Sequence, residues 1–146
     1  MKTFEVIPFV GAGPLRFGMN PTEVHQILGM PRRSSFSRRS ELDEDYAGIS
    51  IGYSRDAERL VEIGFVIPTS VRFNGSSLFA EQNVVEMLAS LDTAPVEGLG
   101  FIVFPHLGIA LADFFSEQES DRAITVFAHG RWDDLKGFKP FALPRG

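Results

Sequence analysis

Apolar and polar residues alternate with period two along Ile49-Ser50-Ile51-Gly52-Tyr53 and again along Val61-Glu62-Ile63-Gly64-Phe65. That is the spacing of strands with one buried face. The polar run Ser54 to Arg59 joins them as a hairpin. Phe101 to Phe104, Ile109 to Phe115 and Ala123 to Ala128 also read as strands, and Ser116 to Arg122 forms a second polar hairpin tip. A different period governs Val24, Ile27 and Leu28, which fall at i, i+3 and i+4 on one helical stripe. Asn20 is a good N-cap, Pro21 suits the first helical position, and Glu23 completes a capping box. Gly29 and Pro31 stop the helix. A second helix is predicted over Ala80 to Leu91, with Val84, Leu88 and Leu91 on one face and Glu81, Gln82 and Glu86 turned to water.

These elements occur in the same order twice. Leu15-Arg16-Phe17 precedes the first helix as Val71-Arg72-Phe73 precedes the second, and Gly48-Ile49-Ser50-Ile51 corresponds to Gly108-Ile109-Ala110-Leu111. The expected fold is therefore an α+β single domain over residues 1–146, with pseudo-repeats at about 15–66 and 71–128. Two strand–helix–hairpin units would share one antiparallel sheet. Both helices would cover one face and leave the other to solvent or a partner.

Composition narrows the chemistry. The length of 146 residues fits one domain, and the absence of cysteine excludes disulfides and thiol chemistry. The net charge of −5 disfavours bulk nucleic-acid binding. Glu5 and Pro8 interrupt the opening segment where a signal peptide needs an apolar run, so a cytoplasmic location is expected and no membrane partner. Gly11-Ala12-Gly13-Pro14-Leu15-Arg16 reads as a structural turn, because Arg16 stands where a dinucleotide fingerprint needs its third glycine. His25, His106 and His129 lack the spacing of a helical metal site, and no Gly-x-Ser-x-Gly elbow occurs. Catalytic, cofactor and metal residues are accordingly expected to be none.

The most pointed surface feature is the segment holding Arg32, Arg33, Phe36, Arg38 and Arg39, followed by Asp43, Glu44 and Asp45. Serine and charge dominate it, so it reads as a mobile surface loop. Its arginines and aromatic ring could grip an acidic protein or a phosphate, and its acids could meet a basic one. The alternative is a solvated loop whose charges neutralise one another. Beyond Gly130, the rings of Trp132, Phe138 and Phe141 predict a tail that packs back onto the domain.

Gly18-Met19-Asn20-Pro21-Thr22-Glu23-Val24 followed by Leu28-Gly29-Met30-Pro31 resembles the half-repeat of the BamE/β-lactamase-inhibitor-protein superfamily. Asn20 replaces the usual Ser/Thr, and the chain lacks the lipobox cysteine and inhibitor-type disulfides of known members. The Phe73 to Phe79 and Phe104 to Gly108 runs resemble those of cytoplasmic bacterial toxin-immunity proteins. The resemblance implies a non-catalytic module that occludes a partner protein such as a toxin, working by surface. Two other readings stay open. One is a structural or ligand-binding domain. The other is a small enzyme whose site converges in space, which a pocket holding a histidine and a buried acid would favour.

Overall fold

The computed structural model describes residues 3–143, so Met1, Lys2 and residues 144–146 lie outside the described residues. Three strands open the chain: β1 (Thr3–Ile7), β2 (Gly11–Ala12) and β3 (Leu15–Arg16). The helix α1 (Pro21–Leu28) follows, then β4 (Arg33–Phe36), β5 (Leu42–Asp45), β6 (Ile49–Tyr53) and β7 (Leu60–Val66). The strands β8 (Ser70–Phe73) and β9 (Ser76–Ser77) lead to α2 (Val84–Leu91). The last strands are β10 (Val96–Gly98), β11 (Phe101–Phe104), β12 (Ile109–Ala112), β13 (Ala123–Phe127) and β14 (Lys139–Pro140).

The strands form two sheets. A nine-stranded sheet runs β14-β10-β11-β12-β13-β7-β6-β5-β4, and a five-stranded sheet runs β3-β2-β1-β8-β9. The large sheet is antiparallel throughout, and β7 pairs with β13 at its centre. In the smaller sheet β1 and β8 pair in parallel, Phe4 beside Val71.

This corrects the expected α+β class. The chain is mostly β, 38% strand against 13% helical, and is not a sheet of strand–helix–hairpin repeats with helices on one face. The helices are eight residues each, too short to form a covering layer. Strands of two residues, such as β2 and β9, are too short to show a period. The expected strands 49–53 and 61–65 are present as β6 and β7, and the segment from Gly11 to Arg16 is the β2–β3 turn.

The core lies against one face of the large sheet. Ile51, Ile63, Phe65, Ile109, Leu111, Ile124 and Val126 point into it from successive strands. Phe4 comes from the smaller sheet and meets Phe65 with ring centroids 5.2 Å apart. Val24 of α1 and Leu88 of α2 are buried in the same cluster.

The first helix forms as its caps require. The Asn20 side chain accepts from the Glu23 backbone N–H at 2.9 Å, and the Glu23 carboxylate accepts from the Asn20 N–H at 3.0 Å. Asn20→Ala removes one half of this box and should cost about 1 kcal/mol. A urea melt with an unchanged midpoint would contradict the role of the cap.

Candidate functional site

The segment from Arg32 to Asp45 is a β-hairpin, not a mobile loop. Antiparallel pairing sets Arg33 beside Asp45, Ser34 beside Glu44, Ser35 beside Asp43 and Phe36 beside Leu42. The turn is held by the Ser37 N–H to the Glu41 carbonyl at 2.8 Å and the Ser40 N–H to the Ser37 carbonyl at 2.9 Å. Strand alternation then divides the acids. Glu44 turns inward beside Ile51, whereas Asp43 and Asp45 stand beside Gly52 and Ser50 on the other face.

Glu44 is only 4% exposed, so it leaves the candidate partner-binding set. Its Oε1 accepts from the Tyr53 hydroxyl at 3.0 Å and lies 2.8 Å from His25 Nε2, while Oε2 accepts from the Ser34 hydroxyl at 3.1 Å. A buried carboxylate needs this degree of satisfaction. Burial, followed by the Glu44 charge, raises the Tyr53 phenol well above its ordinary value. The same causes in the same order push Tyr46 up to about 12.

Asp92 forms a second buried acid–histidine pair. It accepts from the Ala94 N–H at 2.9 Å and the His106 N–H at 2.7 Å, and His106 Nδ1 lies 2.9 Å from Oδ1. The carboxylate ties the end of α2 to the turn between β11 and β12. His129 stacks on Phe9 with centroids 3.8 Å apart. Neither acid–histidine pair lines the clefts of the open sheet face described next, and the bonds to Glu44 and Asp92 are those of structural ties.

The uncovered part of the large sheet holds a cleft of about 480 Å³. Its floor is Ser50, Gly52, Gly64, Ala112, Ala123 and Thr125, and Asp43, Asp45 and Glu62 stand among them. The floor follows from the register: Gly52 pairs with Glu62, Gly64 with Ser50 and Thr125, and Ala123 with Ala112. Small side chains on adjacent strands leave a hollow. Burial, then the charges of Glu62, Glu41 and Asp45, holds the Asp43 carboxyl above its ordinary value.

The tail packs back as expected, but on both sides: Trp132 and Phe138 cover more of that face, whereas Phe141 packs against the main core. Trp132 stacks on Phe127 at 5.3 Å and meets Phe101 edge-on at 5.2 Å, in a second cluster with Val103, Ala110 and Phe138. Its indole N–H donates to Glu62 at 2.8 Å. Arg131 spans Glu41 and Glu62, donating to Glu41 Oε1 at 3.1 Å and to Glu62 at 3.3 Å. The Arg131 hydrogen bond holds Glu41 below the usual carboxylate range.

The remaining candidates lie at the sheet margin. Arg32, Arg33, Arg38 and Arg39 are all exposed, and Phe36 is 67% exposed at the end of β4. Arg39 also lines a smaller cleft of about 300 Å³ with Glu62, Arg131 and Trp132. The structure thus brings Asp43 and Asp45 together with Glu62, a residue marked in the sequence only by its outward place in an alternating strand. Arg131 carried no local signal, since its partner Glu41 is 90 residues away.

Among the described residues, no group of three or more acids and histidines is placed to hold a metal ion, and no helix is long and apolar enough to cross a membrane. Comparison with family models, with curated proteins and with solved structures finds no match.

Proposed function

We propose that this chain is a non-catalytic protein-binding module whose open sheet face occludes a basic surface on a partner protein. The observation that carries the reading is the acidic hollow itself. Asp43 and Asp45 are fixed by strand pairing beside Glu62, above a floor of small residues that leaves room for an incoming side chain. The Asp43 carboxyl is raised by burial first, then by repulsion from Glu62, Glu41 and Asp45, which Arg131 offsets only in part. A lysine or arginine entering the hollow relieves that repulsion, and the net charge of −5 adds long-range attraction. Occlusion of a toxin by a cytoplasmic immunity protein, as the sequence resemblance implies, is one role that such a surface serves.

The test is a titration of the ¹⁵N-labelled chain with an oligo-lysine peptide. Amide shifts are expected at Asp43, Asp45, Ser50, Gly64 and Thr125. The double reversal Asp43→Lys with Asp45→Lys should weaken binding by about tenfold or more, most at low salt. Binding should also weaken as pH falls, because protonation removes the charge. The loss should begin at a higher pH than for an ordinary aspartate, since the Asp43 carboxyl is raised. The exposed Phe36 among its arginines supports a second reading. Shifts confined to β4, and induced by an oligo-glutamate peptide, would replace the acidic hollow with that arginine margin.

A further inference from the structure

We propose that the cleft between the end of α1 and the β5–β6 and β7–β8 turns binds a small carboxylate with an apolar body, its acid group paired with Arg32. This goes beyond the protein-binding reading and concerns a different part of the molecule.

The cleft holds about 530 Å³, within the range of small-ligand sites. Phe4, Leu28, Ile49, Val66, Ile67 and Pro68 make it apolar, and Arg32 is the one charged residue among the described residues that line it. Phe4 is buried in the main core, and Leu28 and Ile49 pack against that core, so the inner wall belongs to the well-packed part of the fold. Val66 is 42% exposed and Pro68 is exposed, so the outer wall leaves apolar surface in water.

The walls are held in place before any ligand arrives. The Tyr46 hydroxyl donates to the Gly29 carbonyl at 3.0 Å and ties the end of α1 to the β5–β6 turn. The Thr69 hydroxyl and the Val66 N–H both donate to the Gly48 carbonyl at 3.0 Å, and the Thr69 N–H donates to the Val66 carbonyl at 3.0 Å. Gly48 has φ of 80°, and a Cβ there would run into the Thr69 hydroxyl, so the two turns meet where only glycine fits. These polar groups satisfy one another and leave few partners for the amides of a bound peptide.

Arg32 is the group left over. Its N–H donates to the Asp45 carbonyl at 2.8 Å, which fixes its backbone. Its guanidinium makes no hydrogen bond, ion pair or ring contact with a described residue. The nearby acids are accounted for. Asp45 shares a smaller cleft with Arg32, Arg33 and Tyr46, but it stands beside Ser50 with the open face and forms no ion pair with either arginine. Glu44 is buried among Tyr53, His25 and Ser34. A free guanidinium at the edge of an apolar cleft matches a carboxylate, which its planar fork can bind through two hydrogen bonds. The net charge of −5 opposes anions at long range. It therefore favours a monoanion held largely by its apolar body over a phosphate or other polyanion.

The experiment titrates the ¹⁵N-labelled chain with octanoate, octylammonium and 1-octanol in parallel. Octanoate is expected to shift the amides of Leu28, Arg32, Gly48, Ile49 and Thr69, with a Kd of about 1 mM or tighter. It should bind about tenfold more tightly than either other probe, the effect of one charge-assisted pair. Arg32→Gln should lower octanoate affinity about tenfold and leave octanol binding unchanged, while Arg32→Lys should keep part of the preference. Neither variant should move the melting temperature, because the guanidinium has no partner in the fold. Ala47→Trp, at an exposed position lining the cleft, should block octanoate and octanol alike. Equal affinity for octanoate and octanol, or a preference for octylammonium, would overturn the proposed pairing. Octanoate binding unchanged in Arg32→Gln, shifts centred elsewhere, or no shift at all would do the same. A peptide with a free C-terminal leucine that binds here where octanoate does not would assign the cleft to a protein terminus and overturn the proposal. Octanoate and oligo-lysine report on different residues, so either result can fail while the other stands.

Discussion

Glu44→Ala is expected to lower the unfolding free energy by about 3 kcal/mol, because it strands a buried hydroxyl and leaves a cavity. The Tyr53 side chain is fully buried, so its hydroxyl depends on Glu44 as acceptor. Ser34 is exposed and His25 partly so, and water can replace the carboxylate for them. The loss therefore comes mainly from Tyr53. Glu44→Gln keeps an acceptor oxygen and should cost only about 1 kcal/mol. Glu44→Leu combined with Tyr53→Phe should recover most of the loss, since donor and acceptor leave together. Urea unfolding with a common slope would measure all three. Equal costs for Glu44→Ala and Glu44→Gln would show that packing, not hydrogen bonding, dominates at this position.

Trp132→Ala is expected to cost about 3 kcal/mol, at the lower end of the range for core aromatics because the ring is only partly buried. It removes contacts to Phe101 and Phe127 and the indole hydrogen bond to Glu62. It also uncovers Val103 and Ala110, so binding of a fluorescent naphthalene sulfonate dye should rise. Trp132 is the one tryptophan of the chain, and its fluorescence reports directly on this cover. In the parent protein, fluorescence and far-ultraviolet circular dichroism should melt together if the tail belongs to the cooperative unit. A fluorescence transition that precedes the other would mark the tail as a separately opening flap.

The first helix was readable because every signal in it is local. Cap, stripe and stop all lie within twelve residues of Asn20 and depend on one another. For the second helix, periodicity predicts a start at Ala80, four residues before the helix begins at Val84. Ala80 and Glu81 donate to Ser77 in a turn instead, and Asn83 makes no side-chain cap bond at the true start. The hairpin at 33–45 is illegible in the sequence for a different reason. One of its faces is open to solvent, and the inward face is satisfied by the polar group of Ser34, Glu44, Tyr53 and His25. Hydrophobic alternation cannot mark a strand that buries a carboxylate. The parallel pairing of β1 with β8 joins residues 67 positions apart, beyond any local pattern. Asp43 and Asp45 were identifiable as candidates from charge alone, but their separation from Glu44 required knowing that they sit on a pleated strand.

The two margins of the nine-stranded sheet differ in chemistry. At one, Pro140 of β14 has no N–H to offer. At the other, β4 presents an open backbone edge, and Arg32, Arg33, Arg38 and Arg39 stand on and around it. An open edge is a template for another strand, and charge at such a margin is a common safeguard against it. Like-charged guanidinium groups would repel a second molecule approaching edge to edge in the same way. For the arginines beside Phe36 this is a use that would need no partner at all: letting a nine-stranded sheet end in water.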